Sequence, residues 1–385
     1  MDFALTEEQQ MLQQAAAEFC RAEVEPVAIR LESSHEFPME LTRRMAELGF
    51  MGLVIPQEYG GAGADYLAYL LVEGEIAKSS ISLSMTLGAQ NSLVALPILN
   101  FATEAQKKQW LPPLASGEKL GSFALTEPGA GSDPAGMRTT AVRKGDKWVL
   151  NGTKLYITNG AVAEYLIVWA RTGQKPDGKP LISAFLVDKT VSPFKVGTIE
   201  HKMGVHASPT TELIFEDCEV PAENLLGKEG DGFKVALITL NTGRCSVATQ
   251  CLGLAEAAYL RAKKFAAERE QFGQKIWEFQ GVGFKLADMI TELNAAKGLV
   301  WQAVWLKEQY GLSDPRFISM AAQAKLYASE MAERVTSHAI QIHGGYGYMR
   351  EYRVEEFFRA ARLMTIVEGT SEIQRLTISR WEMKA

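Results

Sequence analysis

The sequence predicts an α+β protein whose helices and strands are segregated along the chain, and two observations predict it. The first is a change of period. Apolar residues recur at helical spacing in the first third and again from about Gly232, whereas the middle carries strand-like apolar runs. The second is punctuation. Gly173, Pro176, Gly178, Pro180 and Pro193 interrupt the middle, while Phe233 to Glu270 is free of proline. Helices, then strands, then helices imply separate α and β layers, not alternating βαβ units. The expected divisions are a helical domain over 1–119, a β domain over 120–229 and a second helical domain over 230–385.

Each element has its own signal. Thr6 and Gln9 form a capping-box pair, and Met11, Leu12, Ala15, Ala16 and Phe19 follow at helical spacing. Leu41 to Gly49 reads as a short helix with a glycine stop. Ile55 to Gly63 and the pair Pro112–Pro113 read as turn-rich interruptions. Lys147–Leu150 and Thr153–Ile157 flank Asn151–Gly152, which predicts a hairpin. Tyr165–Ala170, Leu181–Val187 and Thr211–Phe215 read as further strands. Phe233–Glu270, Phe284–Gln309 and Phe317–Ile342 read as long helices, the last two parted by Gly311 and Pro315.

Composition excludes several functions. A chain of 385 residues holds two or three domains with cores that need no covalent staples. The content is 47% hydrophobic and 22% charged, which argues against a largely disordered chain. A net charge of −6 offers no cationic field for nucleic acid. Cys20, Cys218, Cys245 and Cys251 form no C-x-x-C pair and read as reduced thiols. His201 and His206 are a close histidine pair with no carboxylate or thiol in ligand register, so no metal site is expected. The start is acidic and glutamine-rich, unlike a signal peptide, and no run of about eighteen apolar residues predicts a membrane span. The expected location is cytoplasmic, or the mitochondrial matrix for a mature form whose transit peptide was trimmed.

Three stretches carry chemistry. Leu125-Thr-Glu-Pro-Gly-Ala-Gly-Ser-Asp133 is neither a Rossmann fingerprint, which would need glycine at Pro134, nor a P-loop, which would need lysine after the glycines. It reads either as a structural turn or as a loop whose N–H groups and hydroxyls meet a large polar ligand. Ile366 to Arg375 places Glu368 between an apolar run and Gly369. That carboxylate is either a desolvated base with a raised pKa or a cap or ion-pair partner. Gln341 to Gly347 is a glycine-dense break after a helix, either a C-cap or a close approach to a ligand. Arg244, Arg269 and Arg380 lie in helical contexts, where single arginines mostly form surface ion pairs.

Taken together the motifs resemble the acyl-CoA dehydrogenase family of flavoproteins over essentially the whole chain. The resemblance rests on Pro56–Gly63, Leu125–Asp133, Tyr156–Gly160, Lys202–His206, Glu268–Gly273, Gln341–Gly345 and Val367–Ser371, in order. It implies an acyl-CoA dehydrogenase-like fold: an N-terminal helical domain, a central β-barrel-like domain and a C-terminal four-helix bundle. It also implies a homotetramer, built as a dimer of dimers, with FAD bound across a subunit interface. The implied FAD contacts are Phe123, Leu125, Thr126, Gly131, Ser132, Tyr156 and Thr158 in the β domain. From a neighbouring subunit come Arg269, Phe272, Gln280, Gln341, Gly344 and Gly345, and Thr370 and Glu372 lie near the diphosphate and adenosine.

The implied reaction is α,β-dehydrogenation of an acyl-CoA thioester. Glu368 matches the base that removes the α proton, and the β hydrogen leaves as hydride to the flavin. The N–H of the base and a ribityl hydroxyl would stabilise the enolate oxygen. A minority of the family carries its base where Gly243 stands here, before Arg244, so Glu368 is the base by sequence. Ser132, Asn241, Arg244, Val367, Gly369 and Arg380 match acyl-CoA contacts, with Asn241 in place of the usual aspartate. Val367 stands where the family usually has tyrosine, which opens the pocket to a short, branched or alicyclic acyl group unless a neighbour fills the gap. Ser84 occupies the position of the arginine that binds a distal carboxylate, so a dicarboxylic substrate is disfavoured. Asn91 cannot act as the displaced aspartate base of some relatives. An electron-transfer flavoprotein is the expected acceptor. The competing expectations are an oxygen-using oxidase, a non-redox desulfinase-like relative and an enoyl-CoA reductase.

Overall fold

The computed structural model describes residues 4–383. The N-terminal helices are α1 (Glu7–Phe19), α2 (Ala28–Ser34), α3 (Met39–Glu47), α4 (Tyr66–Ser79), α5 (Ile81–Gly88), α6 (Leu96–Phe101) and α7 (Glu104–Ala115). The expected capping box at Thr6 and Gln9 closes both ways, with bonds of 3.2 and 3.0 Å. Between α5 and α6 a π-helical turn spans Ala89–Ala95, a wider coil that is frequent at functional sites. Together Ile81–Phe101 is long and apolar enough to cross a membrane, but 83% of its most apolar window is buried inside this protein. It is a core helix here.

The central segment forms β1 (Gly121–Ala124), β2 (Thr140–Lys144), β3 (Lys147–Thr158), β4 (Tyr165–Gln174), β5 (Pro180–Asp188), β6 (Lys195–Ile199), β7 (Thr210–Pro221) and β8 (Leu225–Leu226). The ladder runs β6-β7-β3-β2-β4-β5-β8, with β1 joined in parallel to β4. In this expected central β domain the hydrogen-bonded order ends at β6 and β8.

Two local expectations fail for physical reasons. Asn151–Gly152 is no hairpin turn but a bulge within the continuous strand β3. A Cβ on Gly152 would come within 2.4 Å of the Thr139 hydroxyl, and the Asn151 carboxamide accepts from the Asp217 N–H at 2.8 Å. The hairpin instead joins β2 to β3 through Gly145, whose φ is +66°. Pro112 and Pro113 likewise sit inside α7. They fall in its last turns, where Pro112 C=O still accepts from Ser116 N–H at 3.1 Å.

The C-terminal segment contains α8 (Gly232–Glu268), a two-stranded turn of β9 (Glu270–Gln271) and β10 (Gln274–Lys275), α9 (Gln280–Tyr310), α10 (Pro315–His343), α11 (Val354–Met364) and α12 (Ser371–Glu382). The start of α8 is locked to the sheet. Trp169 Nε1 donates to Gly232 C=O at 2.7 Å, and a Cβ on Gly232 would strike Ser183 Cα at 2.6 Å. Gln90 ties α7 to β1, donating to Leu114 C=O at 2.8 Å and accepting from Gly121 N–H at 2.7 Å. The three segments thus share one framework around the first half of α8.

Candidate active site

Glu368 lies in the turn between α11 and α12, with φ at +52°, a conformation costly for a residue with a side chain. Three side-chain bonds hold it there. Lys325 Nζ donates to Gly369 C=O at 2.7 Å, and Gln374 Nε2 donates to the carbonyls of Gly369 at 2.9 Å and Glu368 at 3.2 Å. Thr370 caps α12 by accepting from Ile373 N–H at 3.4 Å.

The Glu368 carboxyl points at α8 where that helix carries Gly243. A Cβ there would come within 1.9 Å of Glu368 Oε2 and 3.2 Å of Leu93 Cδ2. Any other residue at 243 would displace the carboxyl. Oε2 is out of solvent and has no hydrogen-bond partner among the described residues. Burial pushes Glu368 up to about 7, against the pull of Lys325 and Arg244. Both cations are themselves desolvated, which brings Lys325 down to about 8 and Arg244 to about 10. Arg244 is buried, bonded to Asn241 Oδ1 at 2.7 Å, and its Nε has no partner. A desolvated carboxyl with a raised pKa beside unpaired buried polar atoms is the kind of arrangement found at functional sites.

Val367 is half-buried and packs on the main core. Asn91 is fully buried and spends its amide on the backbone, donating to Phe50 C=O at 3.0 Å and accepting from Val54 N–H at 3.3 Å. Arg380 lies exposed in the last turn of α12, about 14 Å along the helix from Ser371. It does not join the group around Glu368.

The expected flavin contacts fall into two sets. In the sheet, Phe123, Leu125 and Thr126 run beside Tyr156 and Thr158. Leu155 N–H donates to Thr126 C=O at 2.9 Å, and Ser122 Oγ to Thr158 C=O at 2.6 Å. Lys154, fully buried, braces this edge by donating to Leu125 C=O at 3.0 Å and Glu127 at 2.8 Å. Glu127 in turn accepts from the N–H groups of Arg138 and Thr139 at 2.5 and 3.0 Å. Gly131 and Ser132 lie on the exposed loop that this brace supports.

The second set gathers at the far end of the bundle, where α8 and α10 finish and α9 begins. Phe265 stacks on His343 at 4.4 Å, and the Arg269 guanidinium lies 5.5 Å from the Tyr346 ring. Gln341, Gly344, Gly345 and Gln280 are exposed there, and Phe272 is 94% exposed with φ at +52°. From Gly243 to Arg269 is 26 residues of α8, or about 40 Å. The second set therefore lies far from the Glu368–Gly243 contact within one chain.

The residues fit FAD. Gly129, Gly131 and Gly345 have ordinary φ, and a Cβ on any of them would meet no protein atom within 4 Å. Packing does not demand glycine there, and the backbone leaves room for a bound group to approach closely. Tyr156 and Phe272 present rings that a flat ring system can cover, and exposed N–H groups with Arg269 suit a diphosphate.

Sequence reasoning missed Lys325, Gln374, Lys154 and Glu127. A signal existed for Lys325, which interrupts the buried alanine row Ala321, Ala324, Ala328 and Ala332 of α10.

Comparison with known proteins gives three family matches in order. They are the N-terminal domain (residues 6–118), middle domain (122–218) and C-terminal domain (230–383) of acyl-CoA dehydrogenase. A probable acyl-CoA dehydrogenase of Bacillus subtilis, YngJ, is 48% identical over 100% of both chains. Butyryl-CoA dehydrogenase of Megasphaera elsdenii superposes with a TM-score of 0.95 at 43% identity over 100% of both chains. A chain solved in work on the electron transferring flavoprotein of Acidaminococcus fermentans and flavin-based electron bifurcation gives 0.96 at 47%, again over 100% of both.

Proposed function

This chain belongs to the acyl-CoA dehydrogenase family, and on that premise we propose that it converts a short acyl-CoA to the 2-enoyl-CoA with Glu368 as the base. It is an FAD-dependent oxidoreductase. The observation that carries the proposal is the buried, unpartnered Oε2 of Glu368 facing Gly243, in a turn clamped by Lys325 and Gln374.

Glu368 takes the α proton. Its raised pKa makes it a base matched to neutral pH, free of a competing partner. Its N–H is the oxyanion donor to the thioester oxygen, set by the positive φ of the turn. When bound, FAD supplies the acceptor for the β hydrogen, which leaves as hydride. Phe123, Leu125, Thr126, Gly131, Ser132, Tyr156, Thr158, Thr370 and Glu372 hold the cofactor from one chain. Arg269, Phe272, Gln280, Gln341, Gly344 and Gly345 hold it from another. The exposed rings and open glycines around Arg269, about 40 Å along α8 from Gly243, support completion of each site by a second copy, as in the homotetramer, a dimer of dimers, that the family resemblance implies. Arg244, Asn241, Gly369 and Val367 border the acyl thioester, with Ser132 and Arg380 further along the CoA. Val367 leaves width for a branched or alicyclic chain, and the butyryl-CoA dehydrogenase likeness supports a short one. An electron-transfer flavoprotein takes the electrons, a reading supported by the Acidaminococcus likeness.

The test is an anaerobic titration of the flavin-loaded protein with straight, branched and alicyclic acyl-CoAs. Bleaching of the flavin band by at least one of them is expected. A flavin that none of them bleaches overturns the dehydrogenase reading.

A further inference from the structure

A second buried carboxyl, Glu73 on α4, lies beyond the base and takes no part in proton abstraction. It is fully buried. Its Oε1 accepts from Ser246 Oγ at 2.6 Å and from Gln250 Nε2 at 2.9 Å. Tyr69 OH donates to the same Ser246 hydroxyl at 3.3 Å. The Tyr69 hydroxyl also stabilises the ionised acid, yet Oε2 is out of solvent and makes no hydrogen bond among the described residues. A buried oxygen with no partner is rare and costly, and it points to a ligand group that completes it.

The fold makes deliberate room for this acid. A Cβ on Gly88 would come within 2.6 Å of Glu73 Oε1, so α5 carries glycine there. Gly253 lets α4 close on α8, because a Cβ on it would meet Gly74 C=O at 2.4 Å. Ser84 on α5 donates to the Glu73 carbonyl at 3.0 Å, and Gln250 reaches Ser84 C=O at 3.3 Å. An apolar side chain would meet the same packing need with no desolvation cost.

Position relates Glu73 to the reaction. Gly243, Ser246 and Gln250 follow one another at intervals of three and four residues and share a face of α8. Glu368 faces the first, and Glu73 faces the other two. The rise of the helix sets Glu73 about 5–10 Å beyond the base. That is the reach of an acyl chain of five or six carbons whose α carbon sits at Glu368.

We propose that Glu73 binds a hydroxyl group near the distal end of the acyl chain, so that the preferred substrate class is a short ω-hydroxyacyl-CoA and not a plain alkyl one. The inference rests on the acyl-CoA reading above and extends it to the acyl group. Oε1 already accepts two donors and is the carbonyl-like oxygen, leaving Oε2 as the hydroxyl side of the acid. Burial holds the acid protonated up to about 8, so Oε2 donates at neutral pH. A substrate hydroxyl accepts that bond. A methyl in its place leaves Oε2 unpaired.

The test uses the flavin-loaded enzyme and size-matched pairs: 5-hydroxypentanoyl-CoA against hexanoyl-CoA, and 6-hydroxyhexanoyl-CoA against heptanoyl-CoA. In at least one pair the hydroxyl member is expected to have a kcat/KM about 10- to 100-fold higher. Glu73→Met, which keeps the volume and removes the polar atoms, is expected to invert that order. Glu73→Gln, which keeps a donor at Oε2, is expected to retain it. A wild-type enzyme that prefers the alkyl member of both pairs overturns the inference whatever the variants do, and so does a ratio that Glu73→Met leaves unchanged. Oxidation of alkyl chains without preference refutes the role of Glu73 while leaving the dehydrogenase reading intact. Failure of every acyl-CoA to bleach the flavin refutes the dehydrogenase reading itself.

Discussion

The two ends of α8 are built on opposite terms. Near Gly243 everything is enclosed: Glu368, Arg244, Lys325 and Glu73 are brought together by three helices and one turn of a single chain, with several buried polar atoms unpaired among the described residues. Near Arg269 everything is open. Phe272, Tyr348, Phe284 and Trp277 expose half or more of their surface, and the adjoining glycines border empty space. A patch of that kind marks a surface made to be covered. On the function proposed above, the difference means that proton chemistry is pre-assembled within the protomer, whereas the cofactor site is completed by a second chain. Changes at the enclosed end should therefore alter rate with the flavin in place. Changes at the open end should alter flavin and assembly first.

The sharpest test of that contrast is Glu368→Gln. Loss of a positioned base should cut kcat by about 10²–10⁴-fold while the flavin spectrum is retained. Turnover like wild type would remove the base assignment. Gly243→Ala comes next. Its methyl would need space 1.9 Å from Oε2, so the carboxyl must move. A displacement of about 1 Å at a reacting group costs on the order of 10²-fold. Single-turnover flavin reduction should slow by about that factor with flavin content unchanged. An unaffected rate would mean the carboxyl works from another rotamer.

The enclosed end was also the more legible in sequence, though only in part. Glu368 read as a carboxylate between apolar residues and a glycine, either a base or a cap, and only the resemblance implied the role of base. Its turn was less legible, because Lys325 and Gln374 act on backbone carbonyls that no side-chain motif encodes. The long helices followed directly from period and from absence of proline. The Asn151–Gly152 pair misled because the same dipeptide serves a hairpin or a bulge, and the choice lies with Thr139 and Asp217, residues paired only in the folded sheet. Pro112 and Pro113 misled because a helix that is ending tolerates them. The open end gave residue types but not geometry. That Arg269 lies about 40 Å from Gly243 is set by the unbroken length of α8.

At that open end, Arg269→Ala and Phe272→Ser should each weaken FAD retention by about 10-fold, the scale of one charge-assisted bond or one covered ring. Flavin content after dilution and the mass of the assembly in solution read this out. Both variants should remain folded, because neither side chain is buried in the protomer. Full flavin retention in both would move the cofactor away from this surface and break the comparison.

The smallest expected effect is the pH response of the enclosed end, and its sign separates activity from stability. The Glu368 carboxyl is faced by Arg244 from α8, Lys325 from α10 and, further along, Glu73 from α4. Burial raises it from 4.5 to about 7, so the proton must leave before it can act as base. The kcat/KM should rise with pH through about 7, gaining about 10-fold between pH 6 and 8. Stability should move the other way. A carboxyl that binds its proton more tightly folded than unfolded stabilises the fold below its unfolded pKa, and that contribution is lost as pH climbs through about 7. Glu73, raised to about 8, carries the same sign over a slightly higher window. The melting temperature of wild type should therefore fall between pH 5 and 8 more than that of Glu368→Gln, which has no proton to lose there. Parallel melting curves for the two proteins would mean that Glu368 titrates near its ordinary value, and the enclosed end would then owe its reactivity to geometry alone.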